Sequence, residues 1–193
     1  MLSLKESLKI LKEANALIEG HFILSSGLHS PQYIQCAQLM SKPEKALKIC
    51  NSLAEKINKK FEDFDLILSP AMGGIIVGYE LGRLLGKETI FSERDGANFK
   101  LRRNFNIKKN SKVLIVEDVI TTGKSSLECS KLVISNNAKI IGYACIIDRS
   151  NGNSQIEDKI ISQLELNIPT YTEENLPKSL SSIEPIKPGT RNL

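Results

Sequence analysis

Apolar positions along the chain alternate between two rhythms, and the switches between them mark out the elements. Near the amino terminus Leu4, Leu8, Leu11, Ala14 and Ile18 share one side of a helical wheel, with Lys5, Lys9, Lys12 and Glu13 opposite. This predicts an amphipathic first helix stopped at Gly20. Gly20 to Ile34 is punctuated by glycines and carries short extended pieces, which predicts a small two-stranded lobe. From Pro43 to about Lys60 the helical rhythm returns, with Ala46, Leu47, Cys50, Leu53, Ala54 and Ile57 as its stripe and proline at the helix start. Then come apolar runs without alternation: Asp65–Ser69, Glu88–Ser92, Val113–Val116, Lys139–Ile147 and Ile160–Leu166. Runs of this kind suit strands buried on both faces. Helical segments Ile75–Leu85 and Ser126–Asn137 lie between them. Strands separated by helices predict an α/β fold around a central, mostly parallel sheet. The expected layout is one domain over 1–193, with a lobe over about 1–40, a core over about 41–166, and a loosely packed, proline-bearing tail over 167–193.

Within this frame one stretch carries the chemistry. The strand Val113–Val116 runs into two adjacent carboxylates, Glu117 and Asp118, and then into Val119-Ile120-Thr121-Thr122-Gly123-Lys124-Ser125. The turn falls at the carboxyl end of a strand, where open α/β sheets bind ligands. Hydroxyls, a glycine and the free N–H groups that open the next helix suit an anion. Carboxylates repel phosphate, so Glu117 and Asp118 are left for sugar hydroxyls or a metal ion. The stretch therefore reads as a site for a phosphorylated sugar. Ser69-Pro70-Ala71-Met72-Gly73-Gly74 forms a second strand–turn–helix junction of the same kind. Gly123-Lys124-Ser125 also looks like the end of a nucleotide P-loop, but the glycine that motif needs five residues earlier is Asp118 here.

Composition changes the picture little. Hydrophobic content of 41% and charged content of 25% are ordinary for a soluble globular protein, and no apolar run approaches the ~20 residues of a membrane span. The amino terminus lacks the layout of a signal peptide. Four cysteines without a CxxC pair, and only two histidines, give no zinc pattern and suit a cytoplasmic protein with reduced core thiols. His21 and His29 receive no role. Charge matters more: from Arg94 to Lys112 seven basic residues stand against the single acid Asp95. A polyphosphate clamp and a nucleic-acid patch both predict such a run. Only Phe99 and Phe105 interrupt it with aromatics, so nucleic acid is not the expected partner.

The pattern Val113–Ser125 resembles the phosphoribosyl-diphosphate (PRPP) motif of the type I phosphoribosyltransferases. Gly20–Tyr33, Ser69–Gly74, Glu93-Arg94 with Leu101-Arg102-Arg103, and Asp148-Arg149 resemble the orotate-specific branch of that family. The resemblance implies transfer of the 5-phosphoribosyl group from PRPP to orotate in pyrimidine synthesis, with Mg2+ bound mainly through PRPP. It implies that Glu117 and Asp118 take the ribose hydroxyls and that Val119, Ile120, Thr121, Thr122, Gly123, Lys124 and Ser125 wrap the 5′-phosphate. Arg94 with Ala71, Met72 and Gly73 would meet the diphosphate, and Thr121 and Arg149 the orotate. The amino-terminal lobe would form a hood over the base. The segment after Arg94 would be a flexible catalytic loop whose charges, Lys100 and Arg102 foremost, close over the neighbouring subunit's site in a homodimer. This chain has Ser25 and Gly73 where many members have lysine, and its loop lacks histidine. A transferase for another base and a PRPP-binding RNA regulator are the rival readings.

Overall fold

The structure is a computed structural model that describes residues 1–24, 26–61, 63–158 and 160–188. Ser25 and the end of the tail from 189 lie outside the described residues. In chain order the elements are α1 (Leu4–Glu13), β1 (Leu17–Ile23), β2 (His29–Ile34), α2 (Cys36–Met40), α3 (Pro43–Lys60), β3 (Leu66–Pro70), α4 (Gly73–Leu85), β4 (Glu88–Asp95), β5 (Asn98–Leu101), β6 (Lys112–Ile120), α5 (Lys124–Ser135), β7 (Lys139–Asp148), β8 (Ile160–Glu165) and the short α6 (Lys178–Ser181).

The main sheet has six strands in the order β5-β4-β3-β6-β7-β8, all parallel except for the antiparallel pair β4–β5. Successive side chains of a strand point to opposite faces, and here each face has its own core. Ile67, Leu114, Val116, Ala144 and Ile146 pack under α3 and α4. Leu66, Leu68, Val113, Ile115, Tyr143 and Cys145 pack under α5 with Cys129 and Val133. That is why the strand runs show no alternation in sequence. The lobe is the expected antiparallel pair, β1 with β2.

Three expectations need correction. The first helix ends near Ala14, where Asn15 takes a left-handed conformation (φ 57°), and Ile18 and Gly20 belong to β1. The segment after Ser92 is irregular only in its second part: β4 continues to Asp95 and turns back as β5, and residues 102–111 then run without helix or strand to β6. The described tail, 167–188, is largely exposed but is not detached from the body. Tyr171 and His29 exchange backbone hydrogen bonds (2.8 and 2.9 Å), and Ile186 bonds His21 and Ile23 (2.8 and 2.9 Å). The tail therefore clasps the lobe, a long-range pairing that leaves no local periodicity to read.

Candidate active site at the carboxyl ends of β3 and β6

β6 extends to Ile120, so Glu117 and Asp118 sit within the strand near its end. Alternation sends them to opposite faces. Glu117 follows Val113 and Ile115 toward α5, where its Oε2 accepts a hydrogen bond from Ser126 Oγ at 2.6 Å. Asp118 follows Leu114 and Val116 toward α4. There a Cβ placed on Gly73, the first residue of that helix, would stand only 2.5 Å from Asp118 Oδ2. Each carboxylate thus addresses one helix amino terminus; neither N-cap residue caps its helix with a side chain, though Thr122 Oγ1 accepts a long bond from Lys124 N at 3.4 Å. The cleft between them, of ≈ 620 Å³, is bounded by both carboxylates, Pro70–Gly74, Ser125, Arg94 and Phe99. The two helix starts supply N–H groups and positive dipole ends on either side of two acids. That arrangement suits a ligand with anionic ends and a hydroxylated middle.

Burial governs the acids' titration. It pushes the Glu117 carboxyl up to about 7. The Ser126 hydroxyl opposes that rise, the Asp118 charge adds to it, and Ser125 opposes it again. Asp118 is also raised by burial, against the pull of the Val119 N–H and its own. Both groups gain from donors that favour the ionised form, such as sugar hydroxyls.

The turn after β6 is tightly constrained. Ile120 points into the core, so only its backbone is available, and its carbonyl accepts from Arg149 N at 2.8 Å. Val119 also packs against the core. Thr121, Thr122 and Lys124 are exposed beside the cleft without lining it, and Thr122 O accepts from Gln155 N at 2.9 Å. Gly123 has φ 78°, and a Cβ there would meet Ile156 Cγ1 at 2.8 Å, so both conformation and space demand glycine.

The β4–β5 hairpin determines where the basic residues point. Arg94 and Phe99 are cross-strand partners and both line the cleft, the guanidinium lying 4.3 Å from the ring centre. Glu93 and Lys100, the next pair along, face the other way. Lys100 Nζ binds Asp95 at 2.7 Å, Arg103 holds Glu93 at 2.9 and 3.0 Å, and neither Lys100 nor Arg102 lines the cleft. Arg94, Lys100 and Arg103 are therefore neutralised within the hairpin or by α5, while Arg102, Lys108, Lys109 and Lys112 remain exposed. Gln35, at the start of α2, and Phe99 line the cleft without having been singled out from sequence. A hairpin reading of residues 88–101 would have found Phe99 by alternation; nothing local marks Gln35.

Arg149 follows β7 directly, and its backbone bond to Ile120 sets it beside Thr121. The side chain is half-buried, its Nε has no hydrogen-bond partner among the described residues, and burial lowers its pKa. A desolvated guanidinium without an acid is an anion receptor in waiting.

Residues 38–177 match the phosphoribosyl transferase domain. The orotate phosphoribosyltransferase of Methylorubrum populi is 45% identical over 190 residues, covering 98% of this chain and 97% of that protein. The chain belongs to the orotate phosphoribosyltransferase family. The Parvibaculum lavamentivorans member is 44% identical over 189 residues, covering 96% of this chain and 97% of its own length. Among solved structures, the Aeropyrum pernix orotate phosphoribosyltransferase superposes with a TM-score of 0.72 at 23% identity, covering 82% of this chain and 92% of that one. An adenine phosphoribosyltransferase from Thermoanaerobacter pseudethanolicus reaches 0.62 at 18% identity, covering 70% and 88%. The fold is thus shared across different bases, and membership in the orotate family rests on sequence.

Proposed function

We propose that this cleft transfers the 5-phosphoribosyl group of PRPP to orotate, giving orotidine 5′-phosphate and diphosphate in pyrimidine (UMP) synthesis. The observation that carries the choice of base is Arg149. Orotate differs from the other common nucleobases in bearing a carboxylate, and a half-buried guanidinium next to Thr121, its Nε without a partner among the described residues, is the natural counterpart. In this reading the α5 amino terminus with Thr121 to Ser125 holds the 5′-phosphate, and Glu117 and Asp118 hold the ribose hydroxyls. The Ala71–Gly73 turn and Arg94 meet the diphosphate. Displacement at the anomeric carbon passes through an oxocarbenium-like state. The two carboxylates are placed to favour positive charge on the sugar, and Arg94 to favour negative charge on the leaving group.

Two hard oxygen donors fit Mg2+, yet no cluster of three or more candidate ligands occurs among the described residues. The ion would therefore be carried mainly by the substrate's phosphate oxygens and water. When bound it supplies charge neutralisation for the diphosphate.

We assign the chain to a homodimer. Met72, at 83% exposure, begins an apolar face that continues through Ile76 and Tyr79 of α4 and meets Leu47 of α3. The spacing of these residues puts them on one side of the helix, and the face starts at the cleft's own edge. Arg102, turned from its own cleft, and Lys100, once it exchanges Asp95 for a phosphate, would then serve the partner's diphosphate. Four buried free thiols fit a reducing, cytoplasmic setting.

An absorbance assay with Mg-PRPP and a panel of bases tests the proposal. Orotate should be consumed and adenine, hypoxanthine and uracil left untouched, and Arg149→Ala should raise the KM for orotate far more than that for PRPP. Turnover of another base in place of orotate would overturn it.

A further inference from the structure

Arg94 is held in place from three directions. Its Nη2 lies 2.8 Å from Glu128 Oε2, on α5. Nη1 donates to Ala97 O, in the β4–β5 turn, at 2.9 Å. Phe99, on β5, lies under the guanidinium plane. The Glu128 side chain is only 17% exposed. Its Oε2 has no directed hydrogen bond among the described residues, so the contact is an ion pair and Arg94 is what offsets that charge. A buried carboxylate is tolerated when paired. An arginine, in turn, loses many rotamers when it is fixed, and a partner that fixes it before the ligand arrives reduces what binding must order.

The location gives this pair its meaning. Glu128 lies one turn beyond Lys124 and Ser125, on the helix whose amino terminus borders the cleft. Arg94 stands at the end of β4, on the hairpin. The Arg94–Glu128 pair therefore ties the cationic hairpin to the helix that opens the phosphate loop. It fixes the span between the two anion-binding ends of the cleft.

We infer that Glu128 is a positioning residue: through its ion pair it presets the Arg94 guanidinium for the diphosphate of the substrate. The inference rests on the reading of Arg94 as the diphosphate cation. Glu128 itself touches no reacting atom. Its carboxylate repels diphosphate at long range, so its benefit lies in geometry and not in charge. The neutral isostere, which keeps a carbonyl acceptor, should accordingly preserve part of it.

The test compares Glu128→Ala, Glu128→Gln, Arg94→Ala and the Arg94→Ala/Glu128→Ala double variant. The readouts are the inhibition constant of inorganic diphosphate against PRPP, the KM values for PRPP and orotate, the affinity for ribose 5-phosphate, and the melting temperature. Glu128→Ala should weaken diphosphate and PRPP about tenfold, with Glu128→Gln in between, while ribose 5-phosphate and orotate stay within about twofold. In the double variant the loss should match that of Arg94→Ala alone, since Glu128 acts only through Arg94. Unchanged or tighter diphosphate binding in Glu128→Ala, beside a clear loss in Arg94→Ala, would overturn the positioning role and leave the Arg94 reading standing. Unimpaired diphosphate binding in Arg94→Ala would remove that reading and the inference with it. Equal weakening of all ligands together with a lower melting temperature would make Glu128 merely structural. Should Glu128→Ala fail to fold, the isosteric Glu128→Gln carries the comparison.

Discussion

His21 Nε2 lies 2.6 Å from His29 Nδ1, across the two strands of the lobe, with both rings buried. The other nitrogen of His21, Nδ1, is 2.8 Å from Ile183 O. A carbonyl only accepts, so Nδ1 carries a proton and donates to it, and Nε2 makes the bond to His29. One imidazole thereby joins β1, β2 and the tail. Replacing His21 with alanine breaks both bonds and leaves buried polar groups unpaired, at a cost of about 1–3 kcal/mol. Urea denaturation should show a lower midpoint, and limited proteolysis should cut first between residues 171 and 186. An unchanged midpoint and cleavage pattern would mean that the tail is held by its backbone bonds alone.

Glu117 links folding to pH. Its folded-state value of about 7 lies above the ordinary 4.5, so the unfolded chain releases this proton first as pH rises. Stability from this group is complete below 4.5 and is lost as pH rises through about 7. Glu117→Gln should therefore melt higher than the parent at pH 8, by on the order of 1–3 kcal/mol, with the advantage shrinking toward pH 5. The same variant should have little transferase activity. Binding of PRPP near pH 7 should release a fraction of a proton, seen by titration calorimetry in buffers of different ionisation heat. A melting difference that does not vary with pH would contradict this assignment.

Gly73 and Asp118 leave no room between them for a methyl group. The obstacle is the tip of a side chain, so Gly73→Ala should turn the Asp118 carboxylate aside and spare the backbone. The expected result is a near-parental melting temperature with activity reduced about tenfold or more, equivalent to ~1.4 kcal/mol in the barrier. Asp118→Asn should likewise keep its fold and lose most turnover. Full activity in Gly73→Ala would show that Asp118 has latitude the geometry does not suggest.

The apolar face of Ile76 and Tyr79 gives a check on assembly. A double change to glutamate on this exposed surface should leave the monomer folded and shift the sedimentation coefficient to that of one chain. Activity should fall with it, if Lys100 and Arg102 serve the partner's cleft. A variant that still sediments as a dimer would move the interface elsewhere.

Much of this was legible in the sequence because it is local. The run Val113–Val116 announces a two-sided strand, Pro43 the start of α3, and Thr121-Thr122-Gly123 a turn into a helix. The rest depended on partners distant in sequence. Lys100 and Arg102 read as free charges until the hairpin turned them from the cleft, and Phe99 gained a place in the cleft by the same register. His21 and His29 received no role because nothing near them in sequence shows what covers them. His21 is bonded by a carbonyl 162 positions away, and His29 by His21 itself.

By itself the sequence determined the α/β plan, the PRPP-type motif and the pair of carboxylates. Strand periodicity, turn chemistry and motif spacing are written in neighbouring residues. Only the tertiary structure decided that Glu117 faces α5 while Asp118 faces α4, that Arg94 is held by Glu128, and that the tail closes on the lobe. Each of these depends on which side of a strand a residue takes once the sheet is assembled, and on what the rest of the chain brings to that side.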